Sequence, residues 1–248
     1  MTVAALALQA LAACTFVGTN INLVTGNGVQ VDKPVEVGAF DAISSRGSID
    51  VVYTQTPGAQ SVTLTCDENL VDYYRIAVED GTLVIDTKPG ASFRTRTRAL
   101  VTINSPALGG MEVRGSGSLR VTSPLANVGV DATVSGSGSI LLDGAVECRS
   151  FSAAVSGSGG IKGSGVLADE AAFKVSGSGS IRLGPVTAEE VSVRGSGSGA
   201  IFLSCRGTGA VDAHLSGSGG LHLSGDARSL RSETTGSGRV HSKGLSLL

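Results

Sequence analysis

The triplet Gly-Ser-Gly begins at Gly115, Gly136, Gly157, Gly177, Gly197, Gly217 and Gly236, and each copy is followed by one residue and then an aliphatic anchor: Leu119, Ile140, Ile161, Ile181, Ile201, Leu221 and Val240. Successive anchors lie 21, 21, 20, 20, 20 and 19 residues apart. Self-similarity at such a period marks a repeat architecture, in which each unit buries its apolar side chains only against its neighbours. The run Gly195-Ser196-Gly197-Ser198-Gly199 reads as two extra residues ahead of the fifth triplet, and Ser45-Arg46-Gly47-Ser48-Ile49 as an earlier, degenerate copy.

Side chains on a strand alternate between its two faces. Two residues past the anchor stand Val121, Leu142, Leu183, Leu203 and Leu223, and six before it Val113, Val134, Val155, Val175 and Leu215. Odd offsets hold polar or mixed residues such as Arg120, Ser135, Ser176 and Arg182. The apolar columns therefore point inward. A unit this short leaves no room for a βαβ crossover and contains no amphipathic helical run, so strand must coil upon strand. The predicted fold is all-β, a right-handed parallel β-helix (solenoid) of about 20 residues per coil. At a strand spacing of ~4.8 Å, the repeats form a rod on the order of 30 Å long.

Each triplet is expected to be a tight corner, because only glycine takes a positive φ without a Cβ penalty. The parity also permits an unbroken strand with both glycines inward and serine outward; the bend is the favoured geometry. At the C-terminal end Ser232, Thr234 and Ser242 replace Ala, Val and Leu in the inward columns, as a closing coil tolerates. Residues 34–108 lack the triplet but alternate strongly, and are expected to form irregular coils ahead of the repeat coils of 109–242, all within one domain spanning 34–248. A short helical turn is predicted over residues 67–74 with Asp67 as its N-cap.

Residues 1–13 are apolar and run into Leu11-Ala12-Ala13-Cys14. The stretch is too short to span a bilayer and fits the apolar core of an export signal with small residues at the cut site. The tetrapeptide resembles the lipobox of bacterial lipoproteins, which makes Cys14 the acylated first mature residue and 14–33 a tether; no Lys or Arg precedes Cys14. Export leaves Cys66, Cys148 and Cys205 in a compartment that permits disulfides. They are expected to be small core residues, with one pair possible.

With 36 Gly, no Trp, 16% charged and 41% hydrophobic residues, the chain is too regular for an ordinary globular enzyme and too apolar for disorder. A formal net charge of -2 provides no basic field to gather nucleic acid. No cofactor is expected: no Gly-Lys-Ser/Thr run opens a helix for a phosphate, and no Asp marks each glycine turn, as a calcium-binding solenoid requires. No metal site is expected either.

One outward column is site-like. One residue past each anchor stand Arg120, Leu141, Lys162, Arg182, Phe202, His222 and His241. In register these form a basic stripe at the inter-strand spacing, suited to an extended anionic partner such as an acidic cell-surface glycan. His222 and His241 should stack roughly 5 Å apart, as an exposed ladder without the further ligands a metal needs. Arg94, Arg96 and Arg98 alternate as if on one solvated strand face. The alternative function is a polysaccharide-active lyase or hydrolase on the same scaffold. It needs two placed carboxylates. Asp131, Asp143, Glu147, Asp169, Glu170, Glu189, Glu190, Asp212 and Asp226 are scattered, with no cluster expected on stacked coils, and the tyrosines that might hold sugar, Tyr53, Tyr73 and Tyr74, all precede the repeat.

The chain resembles the head GIN domain family of adhesin-type proteins, formerly a domain of unknown function. The resemblance spans residues 35–242. It rests on Phe40-Asp41-Ala42-Ile43 followed by Gly47-Ser48-Ile49-Asp50-Val51, on Asp67-Glu68-Asn69-Leu70, on Asp80-Gly81-Thr82-Leu83-Val84-Ile85, and then on the Gly-Ser-Gly units. It implies a parallel β-helix, lipid-anchored or secreted, and a non-catalytic adhesin or surface-binding module. The expected location is the bacterial envelope, as an outer-membrane lipoprotein facing the periplasm or the surface, with a glycan or envelope protein as partner. Only a few residues follow Val240, so no translocating barrel is expected after it.

Overall fold

A computed structural model describes residues 23–248, and within them the Gly-Ser-Gly triplets are corners. The strand leading into each corner ends on the first glycine, the backbone bends at the serine, and a new strand starts past the second glycine. The first glycine has a positive φ in all seven triplets, for example 119° at Gly136 and 115° at Gly157. The unbroken-strand alternative is thereby excluded.

The corners divide each turn of a parallel β-solenoid into faces. The first face stacks Gly110–Gly115, Gly129–Gly136, Ser150–Gly157, Glu170–Gly177 and Glu190–Gly197, then the C-terminal halves of Ala200–Gly217 and Gly220–Gly236. The second stacks Ser118–Val121, Ser139–Leu142, Gly160–Gly163, the start of Ser180–Thr187 and the following strands up to Arg239–Leu247. Short strands such as Leu125–Ala126, Val146–Glu147 and Val166–Leu167 form the third. Within the described residues no helix is long and apolar enough to cross a membrane.

The inward columns are those the alternation predicts: Leu119, Ile140, Ile161 and Ile181 are fully buried, as are Val113 and Val134. Large and small residues interlock across neighbouring columns. Phe151 is followed by Ala171 in one, and Ala153 by Phe173 in the next, so the two rings meet diagonally at 6.0 Å. Gly195 is not part of an insertion. It pairs with Val175 below and Leu215 above, so it occupies the inward column itself, and Leu215 leans over until its Cδ2 lies 2.7 Å from where a Cβ would sit.

The N-terminal region departs from simple winding. Ala42–Gly47 lies between Gly110–Gly115 and Thr82–Thr87, and Asp50–Gln55 lies between Ser118–Val121 and Leu100–Ser105. Gly47 pairs with Gly115 and Val51 with Leu119, so the degenerate copy is a true coil. The chain then steps back to build the coil beneath it before jumping over both to resume at Gly110. Tyr74–Glu79 adds antiparallel to Thr82–Thr87, and Ser61–Asp67 antiparallel to Leu100–Ser105. Gln30–Pro34 completes that edge, antiparallel to Ser61–Asp67. Residues 24–34 are therefore not tether throughout: Val24–Thr25 and Gln30–Pro34 are strands, and the Lys33-Pro34 end blunts the edge against further pairing. The signal, Cys14 and the rest of the tether lie outside the described residues. At the opposite end Ser232 and Thr234 stack on Ala213 and Leu215 as expected, whereas an irregularity after His241 takes Ser242 out of strict register.

The predicted helical turn exists, as a 3-10 helix over Glu68–Tyr73, but Asp67 makes no capping bond to it. Its fully buried carboxylate instead accepts the backbone N–H groups of Arg96 (2.8 Å), Gly28 (2.9 Å) and Thr97 (3.1 Å). Gly26 leaves the space: a Cβ there would lie 2.3 Å from Oδ2. Burial alone raises the Asp67 pKa, but the three N–H donors outweigh it and hold the group below its ordinary value.

Two tests follow from this architecture. Gly58 and Gly157 share a φ of 114° and 115°, but a Cβ meets nothing within 4 Å at Gly58 and the Gly136 carbonyl oxygen at 2.5 Å at Gly157. Both alanine variants carry the backbone cost, and Gly157→Ala loses roughly 1–3 kcal/mol more in urea unfolding through overpacking; equal losses would show that stacking does not require the glycine. For Asp67 the folded-state pKa lies below the unfolded value of about 3.9. Its stabilisation is therefore complete above that pH and is lost as pH falls through the folded-state value. Hydrogen exchange at the Arg96 and Thr97 amides is expected to accelerate in that acid range, and Asp67→Asn to remove the acid dependence while lowering protection at neutral pH.

Candidate functional site

The register places Arg120, Leu141, Lys162, Arg182, Phe202, His222 and His241 in one continuous column on the second face. All point outward, with Arg120, Lys162, Arg182 and His241 exposed and Leu141, Phe202 and His222 half-buried. Parallel in-register strands bring like side chains to the strand spacing, and flat ones stack. The Arg182 guanidinium carbon lies 4.0 Å from the centre of the Phe202 ring. Phe202 stacks on His222 at 4.5 Å and 11°, and His222 on His241 at 4.5 Å and 9°. Four consecutive coils thus carry one stack, a cation followed by three rings, a geometry in which the cation gains from the ring quadrupole.

The column is less uniformly basic than the sequence implies. Arg120 is paired with Asp143 on the next coil, Nε to Oδ2 at 2.6 Å. Lys162 and Arg182 form no ion pair among the described residues. They flank a cleft of about 320 Å³ that Asp143 and Ser164 also border, where Gly163 takes the place of the usual inward leucine. Partial burial, then the neighbouring His241 and Arg182, lower the pKa of His222 below its ordinary value.

Other candidates are dispersed or buried. Arg94, Arg96 and Arg98 do not share a strand face, because the strand is only Phe93–Arg94; Arg96 lies in a bend and Arg98 pairs with Asp50 at 2.7 Å. Tyr53 is fully buried, and Tyr73 and Tyr74 pack edge-on against Phe93. Contrary to the sequence expectation, two carboxylates do stack on adjacent coils: Glu170 and Glu190 are register partners. Both are exposed on an open face shared with Asp212. Cys66, Cys148 and Cys205 are free thiols; burial pushes both Cys66 and Cys148 up to about 11, and Cys205 up as well.

The family described as "putative auto-transporter adhesin, head GIN domain" matches residues 39–227. The chain belongs to the head GIN domain family. Solved structures resemble this head GIN domain over almost their whole length. One, from Parabacteroides distasonis and called a "putative lipid binding protein", is 27% identical with a TM-score of 0.76, covering 88% of this chain and 98% of its own. A "putative adhesin" from Parabacteroides merdae is 26% identical with a TM-score of 0.71, over 88% and 98%. Another "putative adhesin", from Bacteroides fragilis, shares the fold at 23% identity and a TM-score of 0.75, over 88% and 99%. No curated protein matches the chain.

The stack makes the His222 titration a direct test of the site's electrostatics. In an NMR titration His222 is expected to lose its proton at a pH below the ordinary histidine value of about 6.5. His241→Ala removes a neighbouring positive charge and is expected to move the midpoint upward, although it also uncovers one ring face. An unmoved midpoint would show that the two imidazoles are not coupled.

Proposed function

We propose that this head GIN domain is a non-catalytic binding module of the cell envelope or surface, which holds an extended anionic partner, an acidic polysaccharide, along the second face. The observation that carries the reading is the in-register column in which unpaired Lys162 and Arg182 flank a cleft and the Phe202–His222–His241 stack continues the line. Ring faces within the stack cover one another, which leaves ring edges and cationic groups for the partner. Binding through exposed charges is screened by salt and follows ionic strength. An adhesin-like family and solved neighbours of similar description support a binding role over catalysis. The exposed Glu170–Glu190 pair has no enclosed pocket around it of the kind general acid–base chemistry uses.

Attachment to the membrane is proposed through a lipid on Cys14, on the strength of Leu11-Ala12-Ala13-Cys14. Cys14→Ser is then expected to move the protein from the membrane to the soluble fraction on cell fractionation; a membrane-bound variant would refute the anchor.

Charge reversal at Arg120, Lys162 and Arg182 together is expected to abolish salt-sensitive binding to immobilised acidic glycan. The thermal transition should stay nearly unchanged, because all three side chains are exposed and the one ion pair lost is of a kind worth at most about 1 kcal/mol. Undiminished binding by the triple variant would overturn the proposal.

A further inference from the structure

A recess of about 310 Å³ opens on the first face, near the C-terminal end of the rod and apart from the column just described. That volume is at the small end of the roughly 300–1,000 Å³ usual for ligand pockets. Its rim is the outward column Lys174, Arg194, His214 and Glu233, which are successive register partners. The facing column carries the hydroxyls of Ser196, Ser216 and Thr235, stacked in the same way. Gly195 leaves the inward column without a side chain between Val175 and Leu215, so both of these apolar residues reach the recess.

The recess is polarised. Lys174 and Arg194 are exposed, and neither forms an ion pair among the described residues. At the other end the charges are already matched: His214 lies between Asp212 (3.2 Å from Nε2) and Glu233 (3.3 Å from Nδ1), and Glu233 also meets Arg231 at 3.2 Å. The hydroxyls are not committed to the protein. Ser216 and Thr235 reach backbone carbonyls only at 3.5 and 3.4 Å, far beyond the ~2.7–2.8 Å of a well-formed O–H···O bond.

We infer that this recess binds a single sugar residue bearing a carboxylate, of the uronic-acid class. The carboxylate sits at the Lys174–Arg194 end, where charge-assisted hydrogen bonds are the strong ones. Ring hydroxyls meet the Ser196–Ser216–Thr235 ladder, whose members both donate and accept, and the apolar C–H face of the ring lies toward Val175 and Leu215. A free carboxylate or an acidic peptide would satisfy the two cations but leave the hydroxyl ladder unused. The inference does not rest on the second-face column, and the two sites are separable by mutation.

The test is an amide-detected NMR titration of the full chain with glucuronate, with glucose and inorganic phosphate as comparison ligands. Glucuronate is expected to shift the Gly195, Ser196 and Ser216 amides saturably, while glucose and phosphate each bind at least about tenfold more weakly. K174Q/R194Q is expected to weaken glucuronate by at least about tenfold, as loss of charge-assisted hydrogen bonds implies, whereas charge reversal at Arg120, Lys162 and Arg182 leaves it unchanged. S216L, which fills the recess and keeps both cations, provides the second variant and is expected to lose binding equally. No saturable shift, wild-type affinity in either folded recess variant, or phosphate or glucose binding as tightly as glucuronate would overturn the assignment.

Discussion

At each Gly-Ser-Gly corner one carbonyl oxygen takes two hydrogen bonds from the coil above. The Gly115 oxygen accepts the N–H of Ser137 at 2.9 Å and of Gly138 at 2.8 Å, and the Gly136 oxygen accepts those of Ser158 and Gly159, both at 2.9 Å. Both lone pairs of the carbonyl are used, so the bend leaves no backbone group stranded. The same oxygen lies 2.7 Å from where a Cβ on Gly136 would be. Hydrogen bonding and the need for glycine are therefore one constraint, since the coils approach closely enough to bond only where no side chain intervenes. The corner past the third face repeats the device without glycine, with Val128 accepting from Arg149 and Ser150, and Arg149 from Asp169 and Glu170. There the geometry leaves room for side chains.

Because every corner is locked in this way, register passes unchanged from coil to coil, and register makes surface columns. Any outward position acquires a like-positioned neighbour at the strand spacing on each side. That is how Arg182, Phe202, His222 and His241, 20, 20 and 19 residues apart in sequence, become a continuous stack. It is also how Glu170 comes to lie over Glu190. The surface of such a rod is a set of parallel lines, and both candidate sites are places where a glycine interrupts the inward packing beneath a line: Gly163 below one and Gly195 below the other.

Much of this was legible without coordinates, because in a regular solenoid the spacing of residues in sequence is their spacing in space. The inward columns, the outward column of seven and the bend at the triplet all come from counting. Counting failed where a residue could be read in two ways. Gly195 looked like an insertion because it extends the Gly-Ser-Gly motif, whereas the ladder reads it as a core position with its side chain deleted. Asp67 looked like a helix cap, but its partners, Gly28, Arg96 and Thr97, are distant in sequence and carry no motif that announces them.

The sequence by itself determined the period, the parallel stacking and the face each repeat side chain presents, since those follow from strand alternation and from the places where only glycine fits. Tertiary structure decided what no period encodes. It placed the coil of Thr82–Thr87 and Leu100–Ser105 beneath an earlier one, because a strand pairs with whichever edge is open and not with the next in sequence. It also neutralised Arg120 with Asp143 while leaving Lys162 and Arg182 open, because ion pairing depends on side-chain reach between coils, a distance that composition and spacing do not contain.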